Sequence, residues 1–596
     1  MKNRVLMICI SIFFITLLGT PDIQAQAKTS MPFYGAVGQT SLSPNPENPG
    51  AGFGNSVAIS GDTLVIGARY DSVSAGSGLQ YQSGAAYVYI REGNAWVQQA
   101  RLAPDVPQAG DLFGSAVDID QDTIVVGAVG NDSVDENGND APEMGAVYVF
   151  TRSDDIWRQG AKIEPEDGIE ADYFGNAVAI VRERIVVGAS GKDIGTTKDA
   201  GKVYSYYRSG TKWYQSQSIT APKPEKRDNF GSSLDLDGPR LVVGAPAEDK
   251  VGAAYIYYRT GSTWTQESKI EPDDDKTGDF FGSSVAVNGG IVVVGVPFAD
   301  PDLGAGQVTN AGAAYVFKKK ANRWELDEKL VPDRALAFDN FGDSVTTNGN
   351  SIVVGATGQA QYGMQRAGTA YSFERRNGDW ELQTQIASVE PYSESSFGSS
   401  VAIDGDWILV GEPGVSPKAG IIHIYSLEAG ILPETGFAPG SAINSPQVNQ
   451  DSHFLGSLQI NIPKISLQTQ IVGAPRQANS WHVAWLSDQV GHLEGTPYPT
   501  HLGNSVIAGH INVPDGSTGP FADIDQLAWS DRILIHLNGD VYVFEVREVY
   551  RTTPDDLDVL TREDGYSWIT LVTCDTFDPI SHKYTFRTIV VAVRVD

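Results

Sequence analysis

From residue 53 to residue 427 the chain repeats one pattern of apolar and polar positions seven times. Each copy opens on a Phe-Gly pair, beginning at Phe53, Phe113, Phe174, Phe230, Phe281, Phe341 and Phe397. A spacing of roughly 50 to 60 residues is the mark of a repeat architecture. The first copy continues SVAISGDTLVIGA and the last SSVAIDGDWILVGEP. Alternation, a short polar turn and a β-branched run predict two strands joined by a tight hairpin. A variable loop follows, then a Gly-led aromatic strand such as Gly84-Ala-Ala-Tyr87-Val-Tyr89. A fourth strand carries Trp96, Trp157, Trp213, Trp264, Trp324 or Trp380, with an aliphatic residue six positions on, from Leu102 to Ile386. Four strands in each of seven units predict an all-β fold, a seven-bladed β-propeller.

The seventh unit lacks its Trp strand, since after Gly420-Ile-Ile-His-Ile-Tyr425 the pattern stops. Leu42-Ser43-Pro44 stands before Phe53 as Leu102-Ala103-Pro104 stands before Phe113. Residues 36–44 are therefore expected to complete the seventh blade and leave no open sheet edge. The repeated text resembles FG-GAP repeats, the module of the integrin α-chain head, over residues 36–428. That resemblance implies a binding surface without naming its ligand. Integrin-type repeats often hold calcium in an Asp-rich loop between the first two strands. Here that loop is as short as Ser60-Gly61-Asp62, too short for calcium's several oxygen ligands, so no metal is expected. The acidic stretches Asn131–Asp140 and Asp273–Asp279 read as solvated turns.

Past Glu428 the composition shifts. Residues 429–457 are rich in Gly, Pro, Ser, Asn and Gln, the composition of a linker. Strands are expected at 458–462, 504–510, 532–537, 540–550, 568–574 and 585–595, with no long helical period. Ile462-Pro463-Lys464-Ile465 and Ile471-Val472 open this region, and Gly495-Thr496-Pro497 leads to Gly503-Asn-Ser-Val-Ile-Ala-Gly-His510. Thr570-Leu-Val-Thr573-Cys574 and Arg587-Thr-Ile-Val-Val-Ala follow. In this order the motifs of residues 458–596 resemble a sortase, most like the class D and class E enzymes. The resemblance implies an eight-stranded β-barrel and a cysteine transpeptidase with Cys574, His510 and Arg587 as its catalytic set, with Thr573 as support for the oxyanion or the substrate. It implies cleavage of an LPxTG-like signal between Thr and Gly through a thioester, resolved by an amine or by water, with no cofactor.

The chemistry of the residues agrees with that reading. A thiolate is the attacking form of cysteine, so Cys574 needs a cation beside it. His510 can supply one and then protonate a leaving amine. Arg587 offers fixed donors to a developing oxyanion. His492, His501 and His582 match no catalytic position and read as surface residues or weak substrate contacts.

Leu432-Pro433-Glu434-Thr435-Gly436 in the linker spells a signal of the implied kind. It reads either as a Pro-Gly linker without catalytic meaning, or as a substrate in cis or in trans, or as a pseudosubstrate.

Charge and the N-terminus place the chain. Against 43 basic residues stand 73 acidic ones, a net charge of −30, which repels nucleic acid and anionic lipid. Lys2 and Arg4, the apolar run Val5–Leu18 and Ala25-Gln26-Ala27 form an export-signal pattern over residues 1–27. The mature chain is thus expected to be secreted or to lie at the cell surface, with Cys574 as its one cysteine. Two readings stand: a transpeptidase whose propeller locates it or is its cargo, and a surface adhesion protein carrying a residual or regulatory barrel.

Overall fold

The structure is a computed structural model. It describes residues 37–426 and 458–595 apart from 46–47, 76–77, 94, 135–137, 273–277, 304–305, 333–334, 362–363, 377, 389–390, 415–418, 475, 478–479, 482, 494–495, 500–502, 514–516, 538, 555, 557, 561–565 and 579–582. The expected leader and the Leu432–Gly436 segment lie outside the described residues.

Seven four-stranded antiparallel sheets form the propeller. In the first, strands Phe53–Ser60, Thr63–Ala68, Ala85–Glu92 and Ala95–Leu102 pair in chain order. The second strand, Thr-Leu-Val-Ile-Gly-Ala, is buried at every position. It is covered on both faces, which is why it reads as a continuous β-branched run and not as an alternation.

The Phe of each Phe-Gly pair is fully buried. Phe53 meets Tyr87 edge to face, with ring centroids 5.4 Å apart, and the same contact recurs from Phe113–Tyr148 to Phe341–Tyr371. In the seventh blade His423 takes the tyrosine's place, 5.0 Å from Phe397. The glycine that leads the third strand has a separate cause. Gly84 sits at φ +82°, and a Cβ there would lie 2.0 Å from the Phe113 carbonyl oxygen. A backbone bridge between Gly84 and Phe113 joins one blade to the next, and it recurs at Gly201–Phe230, Gly252–Phe281, Gly312–Phe341 and Gly368–Phe397.

The ring closes as the repeat pattern requires. Strand Val37–Leu42 pairs antiparallel with Ile421–Ser426, setting Leu42 opposite Ile422 and Ser41 opposite His423. Leu42 is buried at the place of Leu102 and Ile386. His423 also binds the buried Glu412 through Nε2, at 2.7 Å, so the closing blade carries a buried acid–histidine pair where the others carry tyrosine.

Residues 459–594 form a closed eight-stranded barrel. Its strands are β1 (Gln459–Ile462), β2 (Leu467–Ala474), β3 (Val490–Leu493), β4 (Gly503–Ala508), β5 (Arg532–Leu537), β6 (Asp540–Thr552), β7 (Ser567–Asp578) and β8 (Lys583–Arg594). Around the barrel the order is β1, β2, β3, β4, β7, β8, β6, β5, with parallel pairs at β2–β3 and β4–β7. Strand β3 was not among the expected ones, and β2 was foreseen only through Ile471-Val472; β3 is four residues long and pairs in parallel with β2, the strand before it. Ile460, Ile471, Val490, Ile507, Ile535, Phe544, Ile569 and Val590 fill the interior.

Candidate active site

Strand β7 decides where the chemistry faces. Ile569 and Leu571 point into the barrel core, while Trp568 and Val572 join a second cluster with Val506, Ala508, Ile589 and Val591. Side chains alternate along a strand, so Cys574 shares the outer face with Val572. On β8, Cys574 is paired directly with Arg587, two residues before Ile589 on that same face.

His510 reaches this row through the parallel pairing of β4 with β7. Ala508 is the partner of Val572. The Gly509 amide donates to the Val572 carbonyl at 3.1 Å, and the Thr573 hydroxyl donates to the Gly509 carbonyl at 2.8 Å. Continued two residues past the end of β4, this register leads His510 toward the level of Cys574. Strands β7 and β8 present Cys574 and Arg587 side by side, and the residues that continue β4 carry His510 toward them.

Each of the three is held in place. The His510 Nε2 lies 2.9 Å from the Val483 carbonyl. A carbonyl only accepts, so Nε2 carries the hydrogen. The Arg587 Nη1 donates to the Tyr584 and Phe586 carbonyls at 3.3 and 3.0 Å, fixing the fork against its own strand. Asp575, the next residue after Cys574, is paired with Arg551 and accepts from the Thr588 hydroxyl at 3.0 Å.

Thr573 takes a different place from the oxyanion support expected of it. Its position in the strand alternation puts its side chain on the face opposite Cys574, and its hydroxyl is engaged with Gly509. It ties β4 to β7 at the level where the site begins. His492 is also not a surface residue: it is buried, with Nε2 2.9 Å from the Pro497 carbonyl and 3.1 Å from the Thr496 hydroxyl. Burial lowers its pKa and keeps it neutral. His501 and His582 lie outside the described residues.

The row is roofed. Cys574, His510 and Arg587 are 0, 1 and 3% exposed. Trp481, Val483 and Leu486 from the β2–β3 connection, and Val559 and Leu560 ahead of β7, pack over the outer face. Asn504 holds the second part of this roof, donating to the Val559 carbonyl at 2.9 Å while accepting from the Thr570 hydroxyl at 2.9 Å. Neither Val483 nor Asn504 was singled out from the sequence. Asn504 lies inside the motif that ends at His510, and its strict alternation with Val506, Ala508 and His510 is the signal that marks its face. Among the described residues no group of three or more His, Cys, Asp or Glu side chains is placed to hold a metal.

Comparison with known proteins follows the same division of the chain. Residues 37–89, 96–150, 157–206, 213–257, 264–317 and 324–373 match the FG-GAP repeat family, and residues 460–595 match the Sortase domain family. Sortase A of Bacillus anthracis is 28% identical over 158 residues, covering 25% of this chain and 70% of that protein. Among solved structures, the Clostridium perfringens Sortase D5 transpeptidase is 31% identical over 24% of this chain and 79% of its own, with a TM-score of 0.20. Clostridium perfringens sortase C, solved with the C-terminal cell wall sorting motif, is 28% identical over 23% of this chain and 69% of its own, with a TM-score of 0.20. The chain belongs to the FG-GAP repeat family and joins to its seven-bladed propeller a sortase domain, the domain of a cysteine transpeptidase family.

Proposed function

We propose that the chain is an exported sortase-type transpeptidase that cleaves an LPxTG-like signal between Thr and Gly and transfers the acyl part to an amine. The observation that carries this reading is the direct pairing of Cys574 with Arg587 on β7 and β8, with His510 two residues past β4, the strand that pairs with β7, inside the region that matches the Sortase domain. The Cys574 thiolate attacks the threonine carbonyl, and the Arg587 guanidinium faces the oxyanion that develops on its oxygen. As the tetrahedral adduct collapses, the C–N bond breaks and His510 protonates the departing glycine amine. With Nε2 held by the Val483 carbonyl, the proton is exchanged at Nδ1. An incoming amine then attacks the thioester and gives its proton to His510 as the C–S bond breaks and the Cys574 thiolate is released; water in its place gives hydrolysis. Thr573 acts as a positioning residue, through Gly509, and not as an oxyanion donor.

Incubating the full chain with an LPETG peptide tests this reading. Intact mass should show a thioester adduct that is absent in Cys574→Ala and discharged by a glycine-based amine. A correctly folded chain that never forms the adduct would favour the adhesion reading instead.

The Leu432–Gly436 segment is the first substrate to try, because it belongs to the same chain. About 20 residues separate it from the barrel, which for a flexible linker gives a reach of about 25 Å and an effective concentration on the order of millimolar. A Cys574-dependent break after Thr435 supports processing of this segment. Its absence, in cis and in trans, even with added amine, rules that out and leaves external signals as the substrates.

A further inference from the structure

The first blade departs from the repeat where its second strand runs into the loop. At this position four blades carry glycine: Gly130, Gly191, Gly358 and Gly414. Their amides donate to Asp111, Asp172, Asp339 and Ser395 carbonyls, as the Tyr70 amide donates to Ala51 in the first blade. A Cβ would lie 2.1 Å from the Gly110 carbonyl oxygen at Gly130, 2.2 Å from Ala171 at Gly191, 1.8 Å from Phe338 at Gly358 and 2.2 Å from Glu394 at Gly414. In those blades the incoming loop rests directly on the glycine. At Tyr70 the amide contact to Ala51 is kept, and the ring lies against Gly52.

A second loss acts at the same place. Four blades tie the loop with a buried aspartate that accepts the amide three residues earlier: Asp111 from Gln108, Asp172 from Ile169, Asp228 from Glu225 and Asp339 from Leu336. The first blade has Ala51 there. Beside Tyr70 lies a cavity of 650 Å³, lined by Asn48, Tyr70, Ser74, Leu79, Tyr81 and Arg101 among others. Its size falls in the range of about 300–1,000 Å³ usual for small-molecule sites.

The lining says what kind of molecule fits. Asp71 is buried and accepts from Arg101 Nη2 at 2.6 Å, the Tyr87 hydroxyl at 2.7 Å, Asn48 Nδ2 at 2.6 Å and the Ser72 amide at 2.7 Å. Acid and base cancel, so an anion would compete with Asp71 for Arg101 and a cation with Arg101 for Asp71. Against this polar floor stand aromatic walls. Tyr81 is 69% and Tyr70 39% exposed. The Tyr70 ring is braced by Gly52 and by the Arg69 guanidinium, 4.7 Å from its centroid. A wholly apolar guest would cover Ser74 and whatever hydrogen-bonding capacity Asn48 and Arg101 keep beyond their bonds to Asp71, at a cost in desolvation. A ring with one apolar face and a hydroxylated edge satisfies both surfaces.

We propose that this pocket on the first blade is a carbohydrate-binding site for a neutral sugar, which stacks on the tyrosine walls and exchanges hydrogen bonds with the polar floor. The site stands apart from the barrel's chemistry and does not depend on it.

Titration calorimetry and saturation-transfer NMR of the full chain test it with neutral tetrasaccharides of β-1,4-N-acetylglucosamine, β-1,4-glucose, α-1,4-glucose and α-1,6-mannose. At least one should bind, with a Kd below about 10 mM. Tyr81→Ala should weaken it at least tenfold. Tyr70→Gly should do the same while leaving the melting temperature unchanged or raised, since glycine is the residue four other blades use. Phe298→Gly, at the corresponding place in the fifth blade, should leave the affinity unaltered. No binding by any tetrasaccharide at about 10 mM overturns the proposal. So does binding that survives both tyrosine changes, or binding confined to an acidic oligosaccharide such as a galacturonate tetramer.

Discussion

The Thr573 hydroxyl and the Arg587 fork show how little slack single residues have at the row. Thr573→Val keeps the side chain's shape but leaves the buried Gly509 carbonyl without its donor. A loss of about 1–3 kcal/mol is expected in denaturant unfolding of the barrel, together with a fall in transfer rate as His510 loses its register. Thr573→Ser should restore both, an outcome that a group acting directly on substrate through its methyl would not give. Arg587→Lys replaces a planar fork by a point charge that cannot hold the same pair of carbonyls. It should lower kcat by about 10²–10³-fold with thioester formation as the slowed step, measured by single-turnover mass spectrometry. Motif order named His510, Cys574 and Arg587 as candidates, and the structure pairs Cys574 with Arg587. The motifs misplaced Thr573, because its role follows from which face of β7 it occupies, and His492, because its burial comes from contacts with the turn after β3.

At the scale of elements, the roof and the closing strand carry the consequences. Cys574 has no exposed surface beneath Val483, Leu486, Val559 and Leu560. Iodoacetamide should therefore alkylate the native thiol at least tenfold more slowly than the unfolded chain, read by intact mass, and Asn504→Ala should speed the native reaction by releasing the Val559 carbonyl. Equal rates in native and unfolded protein would mean that the roof does not stay closed. Deleting residues up to Gly50 removes the strand that pairs with Ile421–Ser426. It exposes a sheet edge in the seventh blade, so the propeller's melting temperature should drop and its transition broaden. Most blade strands were legible because four buried strands repeat one periodicity seven times. Strand β3 of the barrel was not, since four residues paired in parallel across a long connection carry too short a local pattern.

For the molecule as a whole, pH acts through acids at the inner strands of the ring. Asp118 and Asp235 stand where four other blades carry Ala58, Ala179, Ala286 and Ala402. Burial pushes Asp118 up to about 7, against the Ile180 and Ile119 amides that donate to it, with repulsion from Asp235 adding to the rise. Burial likewise pushes Asp235 up to about 6. Both raised values lie above the ordinary 3.8, so the native state holds these protons more tightly than the unfolded chain does. Their contribution is present in full below the ordinary value and is lost as pH rises through about 6 and about 7. Thermal unfolding should thus show a lower melting temperature at pH 8 than at pH 5 from these groups, and Asp118→Ala should shrink that difference. An unchanged difference in the variant would place the pH dependence elsewhere.

Residue order alone determined the strand count of the ring, its closure by the N-terminal strand and the domain that follows, and it named the candidate residues of the site, because periodicity and motif order survive in one dimension. Tertiary structure decided what these share. The parallel register of β4 against β7 leads His510 toward Cys574, and alternation along β7 sends Thr573 to the other face. The Val483 carbonyl closes over His510, and Tyr70, Tyr81 and Arg101 come together at a pocket in the first blade. Each of these depends on contacts between segments far apart in the chain, where distance in space is fixed by pairing and packing and leaves no periodic trace in the sequence.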